Sequence, residues 1–311
     1  MKRILMILIL IAGVSWSGPA QAEAPLTLML DWFPNVDHMP IYVAQERGFF
    51  SQAGVTVKIL NPSDTSDALK LAVAGRVDLA VSYEPQTLMA AGRGIDVRVV
   101  GRLIGHPLCT LMYLKKSGFI KPADLTGRTI GYTVPGLMDV LMVAFAKINH
   151  ITDYKLVNVG FSIAPALSAG RVDAVMGPFK TYETVTMAHE GIDTSFFELE
   201  NWGIPDYDEL IFICGPKTLA SKKKQVQGFV QAVAKAIDVI DASPDKALVD
   251  YFSALPDADK KVETAAFELT RPYYAKHQQC DRKAWQAFAD FALQYGLIEG
   301  KVDVAALLPA E

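Results

Sequence analysis

The chain has 311 residues, a formal net charge of −4 and 51% hydrophobic residues, so it is long enough for two domains. A mildly acidic balance gives no footprint for a nucleic-acid partner. The three cysteines (Cys109, Cys214, Cys280) are an odd number without paired spacing, which excludes a disulfide framework or a zinc motif; buried thiols are expected, and one bridge of unreadable pairing stays open.

At the amino end, Lys2 and Arg3 precede an apolar run from Ile4 to Val14 and a small-residue exit, Ala20-Gln21-Ala22. The pattern reads as a secretory signal (1–22), cleaved after Ala22 and too short to span a bilayer comfortably. No Cys stands at the exit to carry a lipid anchor, so the mature chain is expected to be soluble in the periplasm.

Thr27 to Leu30 then reads as a strand, His38 to Phe50 as a helix and Val55 to Leu60 as a strand. A helical pattern through Ala68, Leu69, Leu71, Ala72 and Val73 leads to Ala74-Gly75-Arg76-Val77-Asp78 and the apolar run Leu79-Ala80-Val81. The same order returns: Thr129 to Tyr132, Leu137 to Asn149 and Lys155 to Val159, then Ala164, Ala166 and Leu167, then Ala174-Val175-Met176. The pentapeptide itself recurs as Ala169-Gly170-Arg171-Val172-Asp173, 95 residues on. Helix, tight glycine turn and buried strand thus occur twice, and the fold class is α/β with two similar lobes. Such lobes gather their loops and helix N-termini at the carboxyl ends of parallel strands, and two of them facing each other form a cleft that can close on a small molecule.

Two β-branched or aromatic runs, Leu111 to Lys115 and Glu209 to Cys214, read as crossover strands. This places 23–112 plus 212–311 in lobe I and 113–211 in lobe II. Helices follow at Lys223 to Ala242, Pro244 to Phe252, Asp257 to Tyr274 and Arg282 to Tyr295, expected to pack on the first lobe. Val226, Phe229, Val230, Val233, Ala236, Ile237 and Ile240 recur at three- and four-residue steps and mark a core face. Lys222-Lys223-Lys224 reads as a solvated helix start, with docking of a transporter as the alternative.

The densest chemistry lies in Asp31-Trp32-Phe33-Pro34-Asn35-Val36-Asp37-His38, between the first strand and the first helix. Trp32 offers a stacking face, Asn35 both a donor and an acceptor, and His38 a titratable ring. Asp37 reads as the helix cap, Trp32 and Asn35 as ligand contacts; a core wedge for Trp32 and a cap for Asn35 are the alternatives. After its repeated strand each lobe offers an aromatic beside a carboxylate: Ser82-Tyr83-Glu84 in the first, Tyr182-Glu183 in the second. Glu84 and Glu183 fit acceptors for an exocyclic amine and fit equally well carboxylates favoured by a helix dipole. The loop Gly131 to Gly136 precedes a helix and could receive an anion; a plain turn is the simpler reading.

The stretch Leu30-Asp31-Trp32-Phe33-Pro34-Asn35 to His38, with Ile41-Tyr42-Val43-Ala44 and Gly48-Phe49-Phe50, resembles the opening of the thiamine-pyrimidine precursor family of periplasmic binding proteins. The resemblance continues through Asn61-Pro62-Ser63-Asp64, both pentapeptides, Leu125 to Tyr132 and Gly203 to Leu210. It implies a type II periplasmic-binding-protein fold, no cofactor, and the solute-binding component of an ABC importer. The partners it implies are an aminopyrimidine of the formylaminopyrimidine or hydroxymethylpyrimidine type and an inner-membrane permease, the protein itself being a monomer. The ligand-binding set is then Trp32, Asn35, His38, Ser82, Tyr83, Glu84, Tyr182 and Glu183, with Trp32, Tyr83 and Tyr182 as walls.

Eukaryotic pyrimidine synthases share the scaffold, and the resemblance implies that they hold pyridoxal phosphate on a Lys, with a sacrificial His four residues later, where this chain has Ser82 and Gln86. Their cysteine-rich loop is replaced by Pro205-Asp206-Tyr207-Asp208, so no enzyme is expected. Many relatives carry Tyr-Trp-Asn-Trp-Glu where this chain has Phe179-Lys180-Thr181-Tyr182-Glu183; Lys180 either pairs with a ligand anion or reaches solvent. A binding protein for a sulfonate, nitrate or another small aromatic solute is the rival reading.

Overall fold

The computed structural model describes residues 24–308, so the expected signal segment lies outside the described residues. Their strands are β1 (Leu26–Met29), β2 (Val57–Leu60), β3 (Leu79–Ser82), β4 (Arg98–Ile104), β5 (Cys109–Leu114), β6 (Thr129–Tyr132), β7 (Lys155–Asn158), β8 (Ala174–Phe179), β9 (Thr194–Glu198) and β10 (Leu210–Cys214). They form two five-stranded sheets, β2-β1-β3-β10-β4 and β7-β6-β8-β5-β9. In each, one strand pairs in parallel with two neighbours, β1 with β2 and β3, β6 with β7 and β8, and an antiparallel strand comes next. Two lobes of one design result, as the repeated order of elements predicts.

The pentapeptide has a physical reason to recur. Gly75 and Gly170 leave their helices with φ of +66° and +65°, the left-handed region that glycine enters without a Cβ penalty. Three residues later, the Asp78 and Asp173 carboxylates each accept a backbone N–H at the start of the first strand of their lobe, from Thr27 and Thr129, at 2.8 Å. Asp78 N and Asp173 N in turn donate to the carbonyls of Thr27 and Thr129. Each aspartate therefore pins the entry of its third strand to that of its first and fixes the parallel register.

The runs read as crossover strands are ordinary sheet members. Tyr113 in β5 is paired on both sides, with Ala174 and with Ser195, so residues 109–114 lie wholly in the second sheet. Residues 210–214 lie wholly in the first, between β3 and β4. The lobe boundaries drawn at 112/113 and 211/212 thus cut two strands; the chain crosses instead in the segments 105–108 and 199–209, where strand pairing stops.

The expected helix at His38 to Phe50 is a 3-10 turn (Val36–His38), a helix (Met39–Glu46) and, past Gly48, a short helix (Phe49–Gln52). The helix Lys223–Ala242 buries Val226, Phe229, Val233, Ala236, Ile237 and Ile240 against Met39–Glu46 and Pro244–Ala254, so this face is core. The helix Lys260–Thr270, capped by the Asp259 carboxylate on Lys261 N and Val262 N, is shorter than expected and ends in a 3-10 turn. It departs from its neighbours by touching both the Val36–His38 turn and the Glu183–His189 helix of the second lobe. Cys109, Cys214 and Cys280 are free thiols. Among the described residues no helix is long and apolar enough to cross a membrane.

Candidate functional site

The carboxyl ends of β1, β3, β6 and β8 converge on one cavity between the lobes, lined by Asp31, Trp32, Asn35, Asp37, His38 and Tyr83 from the first lobe's loops, by Leu210, and by Thr133, Gly177, Phe179 and Glu183 from the second. The space open to the centre of a water-sized sphere is about 20 Å³, room for one or two waters. The lobes touch across the cleft at Trp32 with Phe161 and at Thr65 with Thr133.

Three carboxyl groups face this space. Asp31 is fully engaged: Oδ1 lies 2.9 Å from His38 Nε2, and Oδ2 accepts from the Tyr83 hydroxyl at 2.7 Å. Burial and the Asp31 charge hold the Tyr83 phenol well above its ordinary range, so it stays a donor. The other ring nitrogen of His38, Nδ1, has no partner among the described residues. Glu183 accepts from Phe179 N at 2.6 Å, and burial pushes its carboxyl up to about 7. Asp37 is 2% exposed and receives one hydrogen bond from the described residues, a 3.3 Å contact from Thr270 Oγ1. Burial first, then the charges of Glu183 and Asp31, raise it well above the usual carboxylate range.

The expected roles of Asn35 and Asp37 are exchanged. A 3-10 turn starts at Val36, ahead of the helix, so Asn35 is the cap and its Oδ1 accepts from Asp37 N at 2.8 Å. Asp37 falls inside the turn with its carboxyl in the cavity wall. Asn35 still lines the cavity.

Trp32 reaches across the cleft. Its ring lies 4.6 Å from that of Phe161, which also meets Phe33 at 4.3 Å, and it packs on the second lobe's core cluster around Met112, Ile163 and Met187. Thr65 Oγ1 donates to Thr133 O at 2.7 Å, a second buried contact between lobes. Gly177 has a φ of +126°, and a Cβ there would lie 2.0 Å from Thr133 Oγ1. The floor of the cavity therefore admits only glycine at this position.

Three of the expected site residues lie outside the cavity wall. Ser82 Oγ is spent on Gln86 Oε1 at 3.0 Å and Thr87 Oγ1 at 3.3 Å. Glu84 accepts from Asp208 N at 2.7 Å in the crossover, where Asp208 also holds Arg102 Nε and Trp285 Nε1. Tyr182 donates to Glu263 Oε1 at 3.0 Å, and the other oxygen of Glu263 accepts from Val36 N at 3.0 Å and from the Tyr251 hydroxyl at 2.9 Å. Glu263, on the helix Lys260–Thr270, thus ties the second lobe to the site loop of the first. Glu209 does the same for the crossovers: its Oε2 accepts from Leu108 N, Cys109 N and the Tyr207 hydroxyl.

Lys180 contributes no charge to the cavity. Its Nζ donates to Glu198 at 2.8 Å and to Glu200 at 2.6 Å. Gly136 N, in the loop weighed as an anion site, donates to Asp139 Oδ1 at 2.7 Å, so a carboxylate of the chain already occupies it. Among the described residues lining the cavity, none is Lys or Arg.

Residues 35–247 match a family model described as NMT1/THI5 like. A Haemophilus influenzae protein whose name links it to thiamine biosynthesis is 36% identical over 304 residues, covering 96% of each chain. The formylaminopyrimidine-binding protein of Halalkalibacterium halodurans is 32% identical over 251 residues, 79% of this chain and 76% of its own. A 4-amino-5-hydroxymethyl-2-methylpyrimidine phosphate synthase of Legionella pneumophila is 26% identical over 288 residues, 91% and 90% of the two chains. Among solved structures, the alkanesulfonate-binding protein SsuA of Xanthomonas axonopodis pv. citri superposes with a TM-score of 0.73 over 93% of this chain and 99% of its own, at 17% identity. The fold is that of the periplasmic binding proteins.

Proposed function

The chain belongs to the NMT1/THI5-like family, and from that premise we propose that it is a periplasmic solute-binding protein that closes over an aminopyrimidine precursor of thiamine and delivers it to an ABC importer. The observation that carries this reading is the make-up of the cavity wall: Asp31, Asp37 and Glu183 with Trp32, Tyr83 and Phe179 around them, and no Lys or Arg. An aminopyrimidine presents flat faces to aromatic rings and an amino donor to carboxyl acceptors. A sulfonate or nitrate would meet three acidic groups without a compensating cation, at a cost of several kcal/mol for an unpaired buried charge. The likeness to alkanesulfonate-binding proteins therefore bears on fold rather than on ligand.

An enzyme of the synthase type is disfavoured by the residues at the end of β3. Its last residue is Ser82, with its hydroxyl engaged on the helix that follows, and Gln86 comes four residues later, so there is neither an amine for a Schiff base nor an imidazole to be consumed. Isothermal titration of the mature chain with formylaminopyrimidine and hydroxymethylpyrimidine, against taurine and an alkanesulfonate, tests the reading. One-to-one binding of a pyrimidine alone supports it; binding of a sulfonate alone overturns it.

A further inference from the structure

The weakly bonded carboxyl of Asp37 stands outside the ligand-binding set that the family resemblance implies, and no Lys or Arg lines the cavity beside it. Its titratable or charged surroundings are His38 in its own turn, Asp31 in the preceding loop, Glu183 and Tyr182 from the second lobe, Glu263 from the helix Lys260–Thr270 and Tyr274 beyond it. Of these, Asp31 and Glu263 already have both oxygens engaged by donors. Glu183 accepts at one oxygen from a backbone N–H. Asp37 alone keeps a carboxyl with a single long contact.

We propose that Asp37, which lines the cavity with Asp31 and Glu183, holds one proton in the closed cleft and selects an aminopyrimidine by handing this proton to a ring nitrogen while accepting from the neighbouring amino group. The inference rests on the functional reading above and sharpens the ligand class to a basic nitrogen heterocycle with an adjacent amine. The step is balanced: the O–H bond of the carboxyl breaks, an N–H bond forms on the ring, and the resulting carboxylate and heterocyclic cation face each other at hydrogen-bond distance. Net charge in the cavity is unchanged. The paired ion is formed only inside the cleft, where like charges on Glu183 and Asp31 favour a cation in their midst. A heterocycle without the amine loses both the accepted hydrogen bond and the basicity that takes the proton.

Calorimetric titration of the mature protein with 4-amino-5-hydroxymethyl-2-methylpyrimidine from about pH 6 to about pH 9, in buffers of differing ionisation enthalpy, tests the inference. Above the pH at which Asp37 in the free site loses its proton, binding must draw one from solution, so Kd is expected to weaken about tenfold per pH unit with uptake of about one proton. Asp37→Asn keeps the volume and cannot hold the proton; it is expected to bind about tenfold more weakly at neutral pH and to lose the alkaline break. Glu183→Gln serves as a second variant should the first not fold, and is expected to move the break. Constant affinity without proton uptake in the parent, or an identical break in the variants, overturns the inference and leaves the functional reading standing. No pyrimidine binding at any pH overturns both.

Discussion

Replacing Tyr182 by Phe separates two accounts of the same residue. If the ring stacks on the ligand, as its place beside Glu183 in the sequence implies, Phe preserves the stack and affinity is unchanged. In the structure the ring is outside the cavity wall, and its hydroxyl donates to Glu263 Oε1 at 3.0 Å, from the second lobe to the first. Phe deletes that one bond; Oε2 of Glu263 keeps Val36 N and the Tyr251 hydroxyl, but Oε1 loses the donor it had. The loss is then that of a buried hydrogen bond with its acceptor left unpaired, at least about 1 kcal/mol, and it acts on the closed state alone because the open lobes do not make the contact. Ligand affinity should fall at least about fivefold, with the change in dissociation rather than association. Stopped-flow binding of a pyrimidine to parent and variant, alongside thermal melts of the ligand-free proteins, measures it. Unchanged dissociation in Tyr182→Phe would refute the closing role; a loss in Tyr182→Ala with none in Tyr182→Phe would return the ring to the ligand.

Three further outcomes are expected. Phe161→Ala removes the ring that Trp32 and Phe33 meet across the cleft and should weaken binding about two- to tenfold, read by calorimetry; affinity equal to the parent's would mean the aromatic contact does not hold the closed state. Gly177→Ala sets a Cβ 2.0 Å from Thr133 Oγ1 at a φ of +126°, and should cost at least about 2 kcal/mol in urea denaturation, partly recovered by adding Thr133→Ala; full stability of the single variant would contradict the described floor of the cavity. Burial pushes Glu209 up to about 7, so its native form binds a proton more tightly than the unfolded chain does, and this contribution to stability is full below about pH 4.3 and lost as pH rises through about 7. Glu209→Gln can still accept from Leu108 N and Cys109 N, so it should flatten the fall in urea midpoint over that window; an unaltered slope would place the titration elsewhere.

The lobes were legible because each rests on local devices that leave a mark in sequence. The left-handed glycines at 75 and 170 and the strand-pinning aspartates at 78 and 173 are required by backbone geometry, and both copies therefore keep them. What escaped depends on contacts between distant segments. Glu84 and Glu183 are equivalent by local criteria, each opening a helix after a repeated strand. Only the path of the second crossover decides between them, by laying Asp208 N on Glu84 and leaving Glu183 on the cavity. Glu263 gives no sequence signal at all, since its partner Val36 lies 227 residues away. The exchange of Asn35 and Asp37 is a smaller failure of the same kind: a three-residue 3-10 turn directly ahead of the helix moves the cap from one side chain to the other, and periodicity does not resolve so short a shift.

That exchange has the larger consequence for function. A capping aspartate is satisfied by backbone donors and ionises readily, whereas the Asp37 carboxyl, deprived of those donors and set near Asp31 and Glu183, cannot ionise without opposition. A fold under selection for stability alone would replace one of the three acids, because an apolar or amide side chain of similar size removes the repulsion at no cost in packing. Local conflict of this sort is expected where a ligand, rather than the chain, supplies the missing partner. An anion cannot supply it, and neither can a neutral hydrocarbon. A flat heterocycle that brings donors to the acids and surfaces to Trp32 and Tyr83 relieves the repulsion on arrival. On the proposed function, lobe closure and ligand capture would draw on the same source of free energy, the opposed carboxyls that the cleft leaves unbalanced.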